Sequence, residues 1–546
     1  MSFPLPPTGS DDPPAFLTTL ACQDWLANVP MANPGQAQVM LLRQLNLLQR
    51  FTLANSERLA LLELLRDAVG DVQIDVAKKF AGKPLPLTPP EQAALDGTLA
   101  LWQALLGGYL RLLEAAKSDS GLTKERARIA QRALAVLADL QVDLCRGEQL
   151  PNSDYWRTLY QVFALAEEMG VLVDNVADAH RHGSTQTSAL GAFGESLLLY
   201  TASPFELPSR QLNWIARWAK RWGSKLGLLR AAPHDITERA MPICVDLAGD
   251  RPPGYQPHAG AGGRWLETTA LRKSIRGRLT LLDQGEQPSR LHLGEDCTQP
   301  AAGQQLQRVY QRWCKGGAAR RQERKSASGG CDFIVSLNAV HYYLSGRTPF
   351  RPPSTDDNML RKEREELATF GQRSRHQDEN YSDQQGFDIE QWAVIDDWQL
   401  LDQSANGLRL TRPLKGGVRV GSGQLVAIKL AGSSNYVIGG VRWALQDTLK
   451  TETEMPTLSI GIQLFPGQAQ AVAVRATDVR DPYAQGLLLP AIAALKETET
   501  LILPAGTFRI DRPVDVRIGD RTMACRLARI IDRANEFERC TFSPAK

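Results

Sequence analysis

Long apolar runs are absent from this chain of 546 residues. No stretch approaches the ~18 to 20 uninterrupted apolar residues of a membrane-spanning helix, which argues against insertion into a bilayer. The residues from Met1 to Pro7 include neither a basic region nor an apolar core. The sequence therefore predicts no secretory signal peptide and a cytoplasmic location.

A large net charge is also missing, because lysines and arginines together exceed aspartates and glutamates by only three. General nucleic-acid binders usually show a strong basic excess, so nucleic acid is not a predicted partner. A local basic cluster between Lys315 and Lys325 is the exception. The hydrophobic content of 43% is typical of a folded globular protein. The length predicts about two to four domains.

Recognisable catalytic and metal-binding motifs are missing too. No G-x-S-x-G, H-E-x-x-H or Walker pattern occurs, so no catalytic residue is assigned and the protein is not predicted to be an enzyme. His180 and His182 are expected at the surface rather than on a metal, and no cofactor is expected. The eight cysteines form no C-x-x-C pair, which predicts buried free thiols. They are Cys22, Cys145, Cys244, Cys297, Cys314, Cys331, Cys525 and Cys540.

The first part of the chain has helical periodicity. Apolar residues recur three or four positions apart over residues 36–230, which predicts a domain of antiparallel helical hairpins. Thr88 and Glu91 have the spacing of a capping box, so a helix is expected to begin there. Residues 1–35 precede these patterns and are expected to form a disordered tail.

One predicted helix of this domain carries a stripe of tryptophans. Trp214, Trp218 and Trp222 are four residues apart and therefore share one helical face. Such a face is more often buried in a core than exposed to a partner. We therefore predict that the stripe belongs to the core.

The pattern becomes strand-like after residue 237. Arg276 to Leu282 alternates polar and apolar residues, which predicts a strand within a small β-rich module over 237–300. A short helix is expected at 303–314. Cys331 to Leu344 is rich in residues that favour strands, and the strand series that follows predicts a barrel over 303–470.

Two further segments complete the predicted organisation. Residues 347–391 are dense in charged and polar residues, so they are expected to form a surface insertion in the barrel. Residues 471–546 are expected to form a C-terminal β extension, in which Thr500 to Leu503 and Thr507 to Ile510 are predicted strands. The predicted fold class is α+β and multidomain, with an all-helical N-terminal half and a C-terminal half built on an antiparallel barrel.

Two short motifs carry the functional signal. Arg320 and Arg324 form an R-x-x-x-R pattern, and arginine supplies planar donor forks for phosphates or the acceptor edge of guanine. Asp402, Ser404 and Gly407 form a D-x-S-x-x-G pattern, in which a carboxylate and a hydroxyl accept N–H groups of a purine. The glycine allows the backbone to approach a ligand closely.

These motifs, in this order within strand-rich sequence, resemble the PilZ domain family over about residues 315–467, in the C-terminal half of the chain. Gly423 to Val426 resembles a turn of that family, and the segments Gly439 to Trp443 and Ile460 to Phe465 resemble its last two strands. The resemblance implies a six-stranded antiparallel barrel that binds cyclic di-GMP. It also implies that the arginine segment, with Arg321 as a third contact, folds over the ligand.

The predicted function is that of a cytoplasmic cyclic di-GMP effector, which relays binding to an unidentified protein partner through its helical half. Glu323 lies inside the arginine motif, where it could pair with an arginine and compete with the ligand. That residue and the insertion motivate an alternative, a non-binding PilZ-type adaptor that serves as a docking module. A second alternative is an enzyme with an unrecognised site in the helical half.

Overall fold

The computed structural model divides the chain into two compact units, the first formed by residues 1–83 and 87–320 and the second by residues 84–86 and 321–546. The fold class is α+β and multidomain, as predicted, with a helical N-terminal region followed by two six-stranded barrels. The structure describes residues 3–9, 12–180, 186–231, 242–255, 262–316, 324–353, 394–447, 455–478 and 482–545.

Helices build most of the first unit, as their apolar periodicity predicts. The N-terminus of the fourth helix is capped as expected, because the backbone N–H of Thr88 donates to Glu91 Oε2 over 2.8 Å. Among the described residues, no helix is long and apolar enough to cross a membrane. The elements are α1 (Thr19–Ala27), α2 (Pro34–Arg50), α3 (Asn55–Ala77), α4 (Pro89–Ala115), α5 (Arg126–Arg146), α6 (Ser153–Glu168), the short hairpin β1 (Val176–Ala177) and β2 (Gln186–Thr187), α7 (Ala189–Thr201) and α8 (Ser209–Trp222).

The prediction of a disordered tail over residues 1–35 is wrong for the described part of that segment. Helix α1 lies within it, and Phe3, Phe16 and Cys22 are buried. Burial of the two aromatic side chains anchors this segment, whereas α1 buries only Cys22 and so has no apolar stripe. The periodicity criterion therefore missed it.

A small antiparallel sheet and two helices complete the first unit. The strands are β3 (Gly227–Leu229), β4 (Cys244–Asp246) and β5 (Gly263–Glu267), with β5 in the centre. The helices are α9 (Thr269–Asp283) and α10 (Ala301–Cys314). The expected helix at 303–314 is confirmed by α10.

The predicted β-rich character of residues 237–300 is only partly correct. Arg276 to Leu282, predicted as a strand, lies inside α9. Leu271, Ile275 and Leu282 are the buried residues of that helix, and their spacing of four and seven positions is helical. The seven residues predicted as a strand are a short part of this helix, in which polar and apolar residues alternate by chance.

The second unit begins with a closed barrel, and all its strand pairs are antiparallel. Six strands close in the order β8, β7, β10, β11, β12, β9, and a short strand β6 pairs with β8. The six-stranded barrel implied by the resemblance is thereby confirmed. The elements are β6 (Lys325–Ser326), β7 (Gly330–Val335), α11 (Leu337–Leu344), β8 (Ile395–Ser404), β9 (Gly407–Pro413), β10 (Leu425–Leu430), β11 (Val437–Asp447) and β12 (Thr457–Leu464).

Helix α11 corrects the β-rich interpretation of Cys331 to Leu344. Only the first part of that segment is a strand, because Ser336 ends β7 with φ 88° and its Oγ accepts the backbone N–H of Ala339 as a helix cap. The predicted insertion at 347–391 lies outside the described residues beyond its first seven positions.

The predicted C-terminal β extension is a second closed barrel, with strand order β13, β14, β15, β18, β17, β16. Thr507 to Ile510 is not a strand, since the turn at Gly506, with φ 82°, ends the preceding strand. The strands are β13 (Gln470–Ala476), β14 (Ala484–Leu489), β15 (Thr500–Pro504), β16 (Pro513–Ile518), β17 (Arg521–Arg533) and β18 (Phe537–Pro544).

The two barrels share one apolar core within the second unit. Val340 of α11 packs in a cluster that includes Leu425 of the first barrel and Leu487 of the second. The rings of Phe465 and Phe537 meet edge to face, with centroids 5.8 Å apart. Because burial of apolar surface is the main stabilising term in folding, this shared core joins the barrels firmly.

Candidate functional site

The D-x-S-x-x-G motif forms the hairpin between β8 and β9. Asp402 lies in β8, Ser404 is its last residue, and Gly407 is the first residue of β9. Ser404 and Gly407 pair across a two-residue turn, and Ser404 Oγ donates to the Gly407 carbonyl over 3.4 Å. The spacing of the motif is therefore the spacing of a tight β-hairpin.

Gly407 has a packing reason to be glycine. It pairs with Gln463 of β12, and a Cβ at position 407 would stand 3.0 Å from the Ile462 carbonyl oxygen. A larger residue would push the hairpin away from β12. The glycine thus seats the motif against the barrel wall.

Strand β6 brings the arginine motif to this hairpin. Lys325 pairs with Gln403 and Ser326 with Asp402, which places Arg324 beside the second motif. Arg324 Nη1 donates to Asp402 Oδ1 over 2.7 Å. The two motifs are 78 residues apart in sequence and are in direct contact in the fold. Arg320 and Arg321, the other predicted arginines, lie outside the described residues.

The strand register places a row of four residues across the barrel at Asp402. Asp402 pairs with Arg409 of β9, Arg409 with Gly461 of β12, and Gly461 with Trp443 of β11. Arg409 is exposed between the buried Leu408 and Leu410, so this row lies on the outer face. Arg409 Nη1 is 4.0 Å from Asp402 Oδ2, and the carboxylate therefore faces two guanidinium groups.

Trp443 supplies an aromatic surface on this face, and sequence reasoning missed it. A Cβ on Gly461 would lie 2.1 Å from Trp443 Nε1, so the indole lies directly over the glycine. Both residues belong to segments that the sequence predicts as strands. The sequence does not show that they lie side by side, because the register depends on pairing between distant strands.

The charge around Asp402 suits an anionic ligand. Arg324 and Arg409 both approach this carboxylate, and Lys325 follows Arg324 in the chain, so cations outnumber carboxylates among these described residues. Guanidinium groups form strong, charge-assisted bonds with phosphate oxygens. The face therefore combines phosphate-binding cations, a purine acceptor and an aromatic surface.

The helical unit contains a cavity of about 480 Å³, which is a weaker candidate site. Its charged side chains pair with one another, for example Lys220 with Asp139 at 2.9 Å and Arg146 with Asp143 at 2.7 Å. No group of three or more metal-ligating side chains occurs among the residues that the structure describes. These charges hold helices together and leave little to bind a ligand.

The remaining candidates from the sequence have structural roles. Trp214, Trp218 and Trp222 are fully buried, which confirms that the tryptophan stripe belongs to the core. All eight cysteines are free and buried, as predicted. His180 is partly exposed and its Nε2 lies 2.7 Å from Asp67 Oδ1, whereas His182 falls outside the described residues.

Comparison with known families finds similarity to cyclic di-GMP receptors, although the PilZ model matches residues 243–396 and ends before the D-x-S-x-x-G motif. Three family models match in succession: "Cyclic-di-GMP receptor FimW, N-terminal domain" over residues 20–233, "Cyclic-di-GMP receptor FimW, middle PilZ domain" over 243–396, and "FimW C-terminal beta-barrel domain" over 470–545. The match of residues 243–396 to a PilZ model agrees with the PilZ resemblance of the motifs. The match to the PilZ model begins in the middle of the chain, which corrects its placement in the C-terminal half alone.

One relative aligns with most of the chain. The cyclic-di-GMP receptor FimW of Pseudomonas aeruginosa is 25% identical to this chain, in an alignment that covers 90% of this chain and 85% of the relative. The chain is thus similar to that receptor along most of its length, and all three of its parts match FimW families in order.

Proposed function

We propose that this protein is a cytoplasmic effector that binds cyclic di-GMP on the outer face of the first barrel. The observation that carries the proposal is the contact between Arg324 and Asp402, which joins the two motifs at one end of the row formed with Arg409, Gly461 and Trp443. The similarity to a receptor for this dinucleotide supports the same ligand.

Each side chain has a chemical role in this proposal. Arg320, Arg321 and Arg324 bind the phosphates and the acceptor edge of a guanine. Asp402 and Ser404 accept the N–H groups of a guanine, and Trp443 offers its indole for stacking. Asp402 already accepts a bond from Arg324, so the ligand must exchange that contact for its own.

The position of the arginine motif suggests how binding is relayed. The boundary between the two compact units falls between Arg320 and Arg321. Ordering of this segment on a ligand therefore restrains the connection between the helical unit and the barrels. We propose that the helical unit passes this restraint to a protein partner, without catalysis.

Calorimetric titration with cyclic di-GMP tests the proposal, with cyclic di-AMP as the control for base identity. Saturable binding of the guanine dinucleotide, tighter than that of the adenine analogue, is expected. Recovery of unchanged ligand afterwards would agree with the absence of catalysis. If neither dinucleotide binds, the effector proposal is wrong.

The alternative is a PilZ-type adaptor that docks proteins without a ligand. The bond between Arg324 and Asp402 favours this alternative, because the two motifs then bind each other instead of a ligand. The same titration separates the two functions, since the adaptor would show no heat of binding while remaining folded.

A further inference from the structure

A β-bulge lies beside the proposed binding face. The pairing between β11 and β12 shifts register between Val441 and Trp443, so Arg442 is the extra residue of the bulge. A bulge re-aims the side chains at its position. Arg442 is exposed and Trp443 lies over Gly461, which places a guanidinium next to the aromatic surface.

Arg442 is held toward the second motif by a neighbouring side chain. Its Nε donates to Gln463 Oε1 over 2.5 Å. Gln463 pairs directly with Gly407, the last residue of the D-x-S-x-x-G motif. Only strand β12, which contains Gln463, lies between Arg442 and the predicted ligand-binding hairpin in the order of strands.

The second barrel holds the other end of this guanidinium. Arg442 Nη2 donates to Asp532 Oδ1 of β17 over 3.3 Å. Asp532 is also 2.9 Å from Arg539 Nε, and Arg539 is largely buried. Two arginines share this carboxylate, so Asp532 neutralises Arg442 only in part.

We propose that Arg442 is an additional anion-binding residue of the cyclic di-GMP site and that the second barrel positions it through Asp532. This inference rests on the proposed function. An unrestrained arginine loses side-chain entropy when it binds a phosphate, and prior restraint by Gln463 and Asp532 removes part of that cost. The C-terminal barrel thereby gains a role in ligand affinity, although its strands do not carry either motif.

Titration of the full-length protein with cyclic di-GMP tests the proposal. Arg442→Gln is expected to weaken binding by about tenfold, with Arg442→Lys in between because it keeps the charge but loses the planar fork. Asp532→Asn should weaken binding about threefold, because Arg442 stays charged but is less restrained. Arg529→Gln, at an exposed arginine of the same strand, is the matched control and should bind like wild type.

The double variant Arg442→Gln with Asp532→Asn distinguishes positioning from a structural role. If Asp532 acts through Arg442, the double variant binds no more weakly than Arg442→Gln alone. If wild type and Arg442→Gln bind equally well, or the two effects simply add, the inference is overturned. Failure of the wild-type protein to bind would instead refute the proposed function. Thermal unfolding of each variant confirms that the fold is kept, and exposed Arg442 is replaced without loss of core packing.

Discussion

Asp402 is the residue on which the two motifs converge. Its carboxylate accepts from Arg324 at 2.7 Å and lies 4.0 Å from Arg409. A guanine that donates to this carboxylate competes with Arg324, and the displaced arginine is then free to bind a phosphate. In the proposed function, the pair would therefore link recognition of the base to binding of the phosphate.

Replacement of Arg324 by alanine is expected to weaken binding of cyclic di-GMP by about tenfold to a hundredfold. A charge-assisted bond contributes roughly 1.5 to 3 kcal/mol, and the freed Asp402 offsets only part of this loss. Calorimetric titration measures the effect, and Arg529→Ala serves as the control for loss of an exposed arginine. Affinity within twofold of wild type would contradict the assignment of Arg324.

Replacement of Asp402 by alanine should change the preference for guanine over adenine more than it changes the affinity for the dinucleotide. The carboxylate is the acceptor for guanine N–H groups, whereas adenine presents a different pattern of donors and acceptors. The ratio of cyclic di-GMP to cyclic di-AMP affinities is therefore expected to fall, while salt dependence, which reports phosphate contacts, stays near wild type. An unchanged ratio would mean that Asp402 serves only as the partner of Arg324.

Sequence reasoning found Asp402 and Arg324 but not their contact, and the reason is physical. Both residues belong to short motifs that can be recognised from consecutive residues of the sequence. Their meeting, and the row that continues to Trp443, depends on strand register, which is set by pairing between distant segments. The barrel was predictable from strand periodicity, whereas the aromatic surface required the register.

At the scale of elements, α11 shows how local capping overrides strand preference. Its eight residues include one valine and two tyrosines, which favour strands. The capping Ser336 and the shared core of the two barrels select a helix instead. Propensity gave the wrong answer here because tertiary packing decides the conformation of short apolar segments.

The buried imidazole of α11 makes the second unit sensitive to pH. His341 Nε2 lies 3.2 Å from the Val472 carbonyl, which only accepts, so this nitrogen carries the proton. Nδ1 is buried and has no partner among the described residues. Burial lowers the pKa of His341 below its ordinary value of 6.5, and the bond to Val472 offsets this only in part.

We therefore expect stability to fall as the pH drops through about 6.5. The unfolded chain then binds a proton that the folded protein resists, so the stabilisation is present above this pH and lost below it. Urea unfolding at several pH values measures the effect. His341→Gln keeps a donor for Val472 without titrating, so the stability difference between wild type and variant should depend on pH. A constant difference would show that folding does not shift the pKa of His341.

At the scale of the whole molecule, three parts follow one another: a helical unit, a PilZ barrel and a second barrel. The order of the three family matches is the same. The helical periodicity and the strand series predicted this sequence of parts. Closure of the C-terminal strands into a separate barrel was not predicted, because closure depends on the pairing of β13 with β16, which are distant in sequence.

The connection between the two units is the expected route of signalling. Helix α10 ends at Cys314 in the first unit, and β6 begins at Lys325 in the second. The arginine segment is the chain connection at this point, so a ligand that orders this segment is expected to restrain both of its ends. The shift in population is limited by the difference in ligand affinity between the two arrangements.

Hydrogen exchange with and without cyclic di-GMP tests this route. Ligand-dependent protection is expected at residues 324–326 and 402–410, with a smaller increase extending into α10, because restraint of the segment also restrains the helix that precedes it. The same measurement on Arg324→Ala at equal ligand concentration should show little protection. Should protection in wild type stop at the two motifs, the ligand would complete a binding surface on the barrel without acting on the helical unit. A partner would then recognise the liganded barrel directly, and relay through α10 would be abandoned.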